Sequence, residues 1–204
     1  MSKPDASQVR RSRVQLILIF ALFLLPPVSA WVAWKYLGER GVSATTNAGS
    51  LISPARPLSS LGLMGADGAP MDDGVTGGRW TYVIFAPSDC DERCQQQLYI
   101  TRQVRLAMSK DIPRVQRLLV LGQVPQSELT GQLTSDHADL HWGVRSDPSA
   151  TQWREFSGDG FAADGAHFFL VDPLGNLMMH YSLDVPAKGM IRDLQKLLKI
   201  SQVG

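Results

Sequence analysis

The sequence predicts an α/β domain, a central mixed β-sheet flanked by helices on both faces, preceded by one N-terminal transmembrane helix. Three observations lead there. The run from Val14 to Trp34 holds no charged residue. A short apolar stretch, Tyr82 to Ala86, is broken by Pro87 and leads into a helix that begins with the chain's two cysteines, Cys90 and Cys94. From the first strand onward the patterns read β-hairpin, βαβα, a further helix and ββα, an order that layers helices on a mixed sheet.

Composition bounds the rest. A chain of 204 residues holds one ordinary domain and an appendage. A formal net charge of +1 offers no basic surface for nucleic acid. Two cysteines build neither a disulfide scaffold nor a four-cysteine zinc site. There is no P-loop and no Gly-x-Ser-x-Gly elbow, so nucleotide hydrolysis and serine-esterase chemistry find no support.

Residues 1–13 form a polar tail in which Lys3, Arg10, Arg11 and Arg13 outweigh Asp5. Residues 14–36 read as a transmembrane signal-anchor, since about 21 chargeless residues cross a bilayer as a helix. Trp31, Trp34 and Tyr36 stand at its far end, where an interfacial aromatic belt belongs. The basic flank keeps the N-terminus in the cytoplasm and exports the remainder. Val28-Ser29-Ala30 also resembles a signal-peptide cleavage site, but the apolar run continues past Ala30 to Trp34, which favours an uncleaved anchor. Residues 37–57, rich in Ser, Thr, Ala and Gly, read as a flexible linker that ends where the domain, 58–204, begins.

Within the domain, Leu58, Leu61 and Leu63 suggest a first strand turning at Asp67-Gly68. The aromatic and β-branched run to Ala86 reads as a buried central strand. Ser88 or Asp89 is placed to cap the helix that follows, about Asp91 to Ser109, with Asp91 and Glu92 suiting its positive first turn. Val115–Leu121 is the next strand, Gln126–Leu133 a second helix or a lid, and Leu140–Val144 a short strand. Pro148 opens a helical stretch with Trp153 and Phe156 that glycines 158 and 160 stop. His167–Val171 and Leu177–Tyr181 form a hairpin around Asp172-Pro173-Leu174-Gly175-Asn176. A closing helix over about Lys188–Ile200 buries Ile191, Leu194, Leu197 and Leu198.

Cysteines four apart at a helix start lie on one face, roughly 5–6 Å apart at Cβ. The helix N-terminus favours thiolate, the form that attacks disulfides and binds soft metals. Three chemistries fit the pair: Cu(I) binding, thiol–disulfide exchange without metal, and a structural bridge. His167 opens a strand and reads either as a core histidine or as a third ligand. His137 and His141 lie in a polar stretch and read as solvated; Met178, Met179 and His180 read as core packing.

These features resemble the Sco/SenC group of membrane-anchored cytochrome c oxidase assembly proteins, within the thioredoxin-fold superfamily. The resemblance rests on the anchor, the opening hairpin, the strand running into Cys90-Asp91-Glu92-Arg93-Cys94, the Phe168–Asp172 strand with its Asp172-Pro173-Leu174-Gly175 turn, and the last helix. It implies Cu(I) held by Cys90, Cys94 and a histidine, here His167, and delivery of copper or reducing equivalents to the CuA site of an oxidase subunit. It further implies a bacterial inner membrane with the domain in the periplasm. The sequence departs from the group at Asp91 and Gln95, where prolines follow the cysteines, and at Asp164, which stands where the histidine belongs. The alternatives it leaves are a membrane-tethered thiol–disulfide oxidoreductase and a docking protein with structural cysteines.

Overall fold

The computed structural model describes residues 6–38, 46–58, 61–65, 67–71, 76–147 and 151–201. The expected tail residues 1–5, the linker's 39–45, the loop around Gly74 and Pro148 lie outside them. The chain divides into two compact units, Met1–Thr46 and Asn47–Gly204. The first is one helix, α1 (Ala6–Gly38), which runs through Pro26 and Pro27. It contains a 21-residue stretch, Arg13–Ala33, long and apolar enough to cross a membrane.

The second unit is a seven-stranded mixed sheet. Its strands are β1 (Ser50–Pro57), β2 (Leu63–Met64), β3 (Trp80–Ala86), β4 (Val115–Leu121), β5 (Leu140–Arg145), β6 (His167–Val171) and β7 (Asn176–Ser182), in the spatial order β1-β7-β6-β3-β4-β5-β2. β3, β4 and β5 are parallel, while β6, β7, β1 and β2 run antiparallel to their neighbours. β3 and β4 are buried along their whole length, which is why both read as continuous apolar runs and not as alternation.

The helices are α2 (Glu92–Leu106), α3 (Ser127–Asp136) and α4 (Ala187–Ile200). They flank the sheet on one face only, contrary to the two-sided arrangement expected. Leu98 and Val104 of α2, Leu129 and Leu133 of α3, and Met190 and Leu194 of α4 share one core layer with Tyr82, Ile84 and Phe168. The path from β3 to β4 to β5 steps across the sheet in one direction, so two right-handed crossovers deposit α2 and α3 on the same side. The opposite layer, with Val83, Phe85 and Phe169, is covered by Ile52, Leu61, Leu63 and by Phe156 of the 3-10 turn Thr151–Phe156.

The linker expected over 37–57 is shorter than that, and the domain does not begin at Leu58. Ser50–Pro57 pairs with β7 as an edge strand and buries Ile52. The entry is latched: the Asp193 carboxylate, nearly fully buried, accepts the amide N–H of Ala48 at 2.9 Å and of Gly49 at 2.9 Å. A Cβ on Gly49 would strike the Tyr181 ring. Long-range partners thus order a segment whose composition reads as a tether. The β6–β7 turn matches its expectation, with the Asp172 side chain accepting from Leu174 N–H and Asn176 N–H and Gly175 at φ +84°.

Candidate functional site

The site is the junction between β3 and α2. β3 ends at Ala86, Pro87 breaks the ladder, and Cys90 N–H donates to the Pro87 carbonyl at 3.1 Å, closing a tight turn. Cys90 itself takes the left-handed conformation, φ +46°. It therefore stands outside the helix, and the expectation of two cysteines on one helix face is corrected. The cap is Asp91, not Ser88 or Asp89: its Oδ1 accepts Cys94 N–H at 3.0 Å, placing Cys94 in the first turn. With the cap one residue past Cys90, that residue has to turn the chain.

Cys90 and Cys94 are joined as a disulfide with a Cα–Cα distance of 5.1 Å. Both are buried, at 3% and 2% exposure. Two clefts flank the turn. One of about 280 Å³ is lined by Pro87, Asp91 and Arg93 from the cysteine turn, by Ala163, Asp164 and Gly165, and by Phe85 and Arg145. The other, about 190 Å³, lies between Ser88, Asp89 and the α3 residues Glu128, Leu129 and Gln132.

Residues the sequence did not single out shape the first cleft. Gln97, on the turn of α2 after Cys94, is fully buried and donates from Nε2 to the Gly165 carbonyl at 2.8 Å, tying the Ala163–Gly165 lining to the cysteine helix. Gly165 holds φ +81°, the left-handed region that favours glycine, and a Cβ there would stand 3.4 Å from the Phe85 carbonyl. Arg145 ends β5 with its guanidinium 5.0 Å over the Phe85 ring, and burial lowers its pKa. An arginine ending an otherwise apolar strand was the available signal for Arg145. Gln97 and Thr101 gave none, because polar residues on the inner face of a helix run against its periodicity.

His167 lies elsewhere. It opens β6 two residues before Phe169, on the face of the Phe85–Phe169 layer, whereas the cysteines belong to the Tyr82–Phe168 layer. Its ring stands 5.5 Å from that of His180 on β7. The structure thus joins Cys90 to Cys94 and leaves His167 beside His180. Among the described residues no three or more His, Cys, Asp or Glu side chains converge as a metal site. The three-ligand Cu(I) set implied by the resemblance is therefore not assembled in this disulfide form. His141 is exposed as expected, while His137 is half-buried, its pKa lowered by burial and by Arg117 and Arg102.

Residues 80–201 match the family model of the transmembrane-like, thioredoxin-like C-terminal domain. Among solved structures, apo Sco1 from Thermus thermophilus superposes with a TM-score of 0.57 at 17% identity, covering 76% of this chain and 99% of that one. Yeast Sco1 with copper bound gives 0.55 at 16% identity, with 70% and 94% covered. A thiol:disulfide interchange protein from a Bacteroides species gives 0.50 at 13% identity, with 78% and 95% covered. Identities this low establish the shared thioredoxin-like fold. No curated protein matches the sequence.

Proposed function

Since the chain belongs to the transmembrane-like, thioredoxin-like C-terminal domain family, we propose that it is a membrane-tethered dithiol protein that exchanges disulfides with a partner's cysteines during cytochrome c oxidase assembly. The observation that carries the reading is the Cys90–Cys94 disulfide at the strand–helix junction, flanked by two clefts. Arg10 and Arg11 before the span, and Arg13 at its first position, keep the N-terminus in the cytoplasm, so the domain works in the periplasm from the bacterial inner membrane. The partner in this reading is an oxidase subunit with its CuA cysteines.

The exchange starts from the reduced pair. The Cys90 thiolate attacks one sulfur of the partner's disulfide, forming a mixed disulfide and releasing one partner thiolate, which takes a proton. The Cys94 thiolate then attacks the Cys90 sulfur, closing the Cys90–Cys94 disulfide and releasing the second partner thiolate. Two electrons pass from the pair to the partner, and an external dithiol restores the pair. Cys90 takes the attacking role because it lies on the turn between the clefts, while Cys94 sits inside the helix. Both sulfurs are buried, so exchange needs the turn to open. The left-handed Cys90 favours opening, since a non-glycine residue there stores about 1–2 kcal/mol.

Trapping tests this. The Cys94→Ser variant, incubated with an oxidised CuA domain, accumulates a mixed disulfide through Cys90 that dithiothreitol releases; Cys90→Ser does not. Absence of any adduct with either variant refutes exchange. If Cys90→Ala/Cys94→Ala retains full oxidase assembly in cells, the cysteines are structural.

A second reading, Cu(I) as cargo, is favoured by the shared fold with copper-bound yeast Sco1. Once reduced, the pair offers two soft thiolates, which suit Cu(I). Cu(I) titration of the reduced chain against a chromophoric chelator decides it: one equivalent that Cys90→Ser abolishes supports cargo, and no binding above the chelator excludes it.

A further inference from the structure

We propose that His167 and His180 form a second, thiol-free metal site that takes a single Cu(I) ion. β6 and β7 are antiparallel, with His180 opposite Phe169. His167 lies two residues before Phe169, so both imidazoles stand on the same face as diagonal neighbours, ring centroids 5.5 Å apart. The Nδ1 atom of each ring is shielded from solvent and has no hydrogen-bond partner. Shielded polar atoms almost always have a partner, and an ion shared by these two neighbouring rings supplies one to both. Two imidazole nitrogens on opposite sides of one transition ion stand about 4 Å apart, the scale of the spacing between these two rings.

The surroundings choose the ion. Phe161 stacks on His180 at 4.4 Å, and Phe169 stands opposite His180 on the same face. Two neutral donors against aromatic walls suit a monovalent ion content with two ligands. A divalent ion that wants four or more is not served, since no third ligating group joins them among the described residues. The Asp164 carboxylate, 3.8 Å from His167 Nδ1, is too far to hydrogen-bond but close enough to balance one positive charge.

The site stands apart from the cysteines, on the other core layer, so it is tested with the disulfide closed. The full-length chain in detergent micelles, oxidised at Cys90–Cys94, is titrated with Cu(I) under ascorbate against a chromophoric chelator. The Cys90→Ser/Cys94→Ser chain is run beside it. Both bind one equivalent. His167→Gln and His180→Gln each weaken binding at least tenfold. X-ray absorption of the oxidised wild type shows two nitrogen donors and no sulfur. This last measurement needs no histidine variant, so it decides the question even if one of them fails to fold. Absence of Cu(I) binding by the oxidised chain, a sulfur ligand, or unchanged affinity in both histidine variants overturns the site; Zn(II) bound as tightly as Cu(I) overturns the choice of ion.

Discussion

Removing Asp139 should cost this domain more than removing Arg117, although the two form one ion pair. Arg117 on β4 is fully buried, and its Nε and Nη2 donate to Asp139 at 3.0 and 2.8 Å. Its Nη1 donates to the Leu98 carbonyl of α2 at 3.0 Å, one turn beyond Cys94. Asp139 keeps 26% of its side chain exposed and has a second cation, Arg105, at 3.4 Å. Asp139→Ala therefore strands a buried guanidinium that cannot shed its charge, the situation that costs about 3–5 kcal/mol. Arg117→Met fills the volume and leaves a carboxylate that water and Arg105 still serve. Its main loss is the bond to Leu98 and the pairing, about 1–2 kcal/mol. The gap of about 2 kcal/mol shows as a lower urea midpoint for Asp139→Ala at unchanged slope, followed by tryptophan fluorescence. pH gives a second check. Burial raises the Asp139 pKa, but hydrogen bonds and charge from Arg117, with charge from Arg105, outweigh it and hold the carboxyl below its ordinary range. A depressed carboxyl contributes stability that is complete above the unfolded value of about 3.9 and is lost as pH falls through the folded one. The wild type's advantage over Asp139→Ala therefore shrinks only in acid below that value. Arg117→Met costing as much as Asp139→Ala, or a gap that persists unchanged through the acid range, refutes the reasoning.

Three further outcomes follow from single contacts. Asp91→Ala removes the cap on Cys94 N–H and lowers stability by about 1 kcal/mol, read as a shift in urea midpoint, while Glu92→Gln leaves the midpoint nearly unchanged. Gly49→Ala drives a methyl into the buried Tyr181 ring beside the Asp193 latch and costs about 1–3 kcal/mol by the same measurement. His180, whose pKa burial and His167 hold below the ordinary histidine value, binds a proton in the unfolded chain before it does in the folded one. Metal-free stability therefore falls as pH drops from about 6.5 toward the folded value, and His180→Phe flattens that slope in denaturation curves collected between pH 7 and 5.

Sequence by itself determined the pieces whose signals are local. Chargeless length marked the Val14–Trp34 span, a continuous apolar run marked β3, and Asp172-Pro173-Leu174-Gly175-Asn176 marked the β6–β7 turn. Close spacing put Cys90 and Cys94 within bonding reach of each other. Tertiary structure decided what depends on partners distant in the chain. Ser50–Pro57 is a strand because β7 offers it an edge and Asp193 anchors Ala48 and Gly49, contacts that composition does not encode. α2 and α3 share one face because two crossovers in the same direction have the same hand. Gln97 is held inside because its Nε2 donates to the Gly165 carbonyl across 68 residues of chain. His167 turns toward His180 and away from the cysteines because the β6 register sets its face, and a strand's two faces differ by a single residue step.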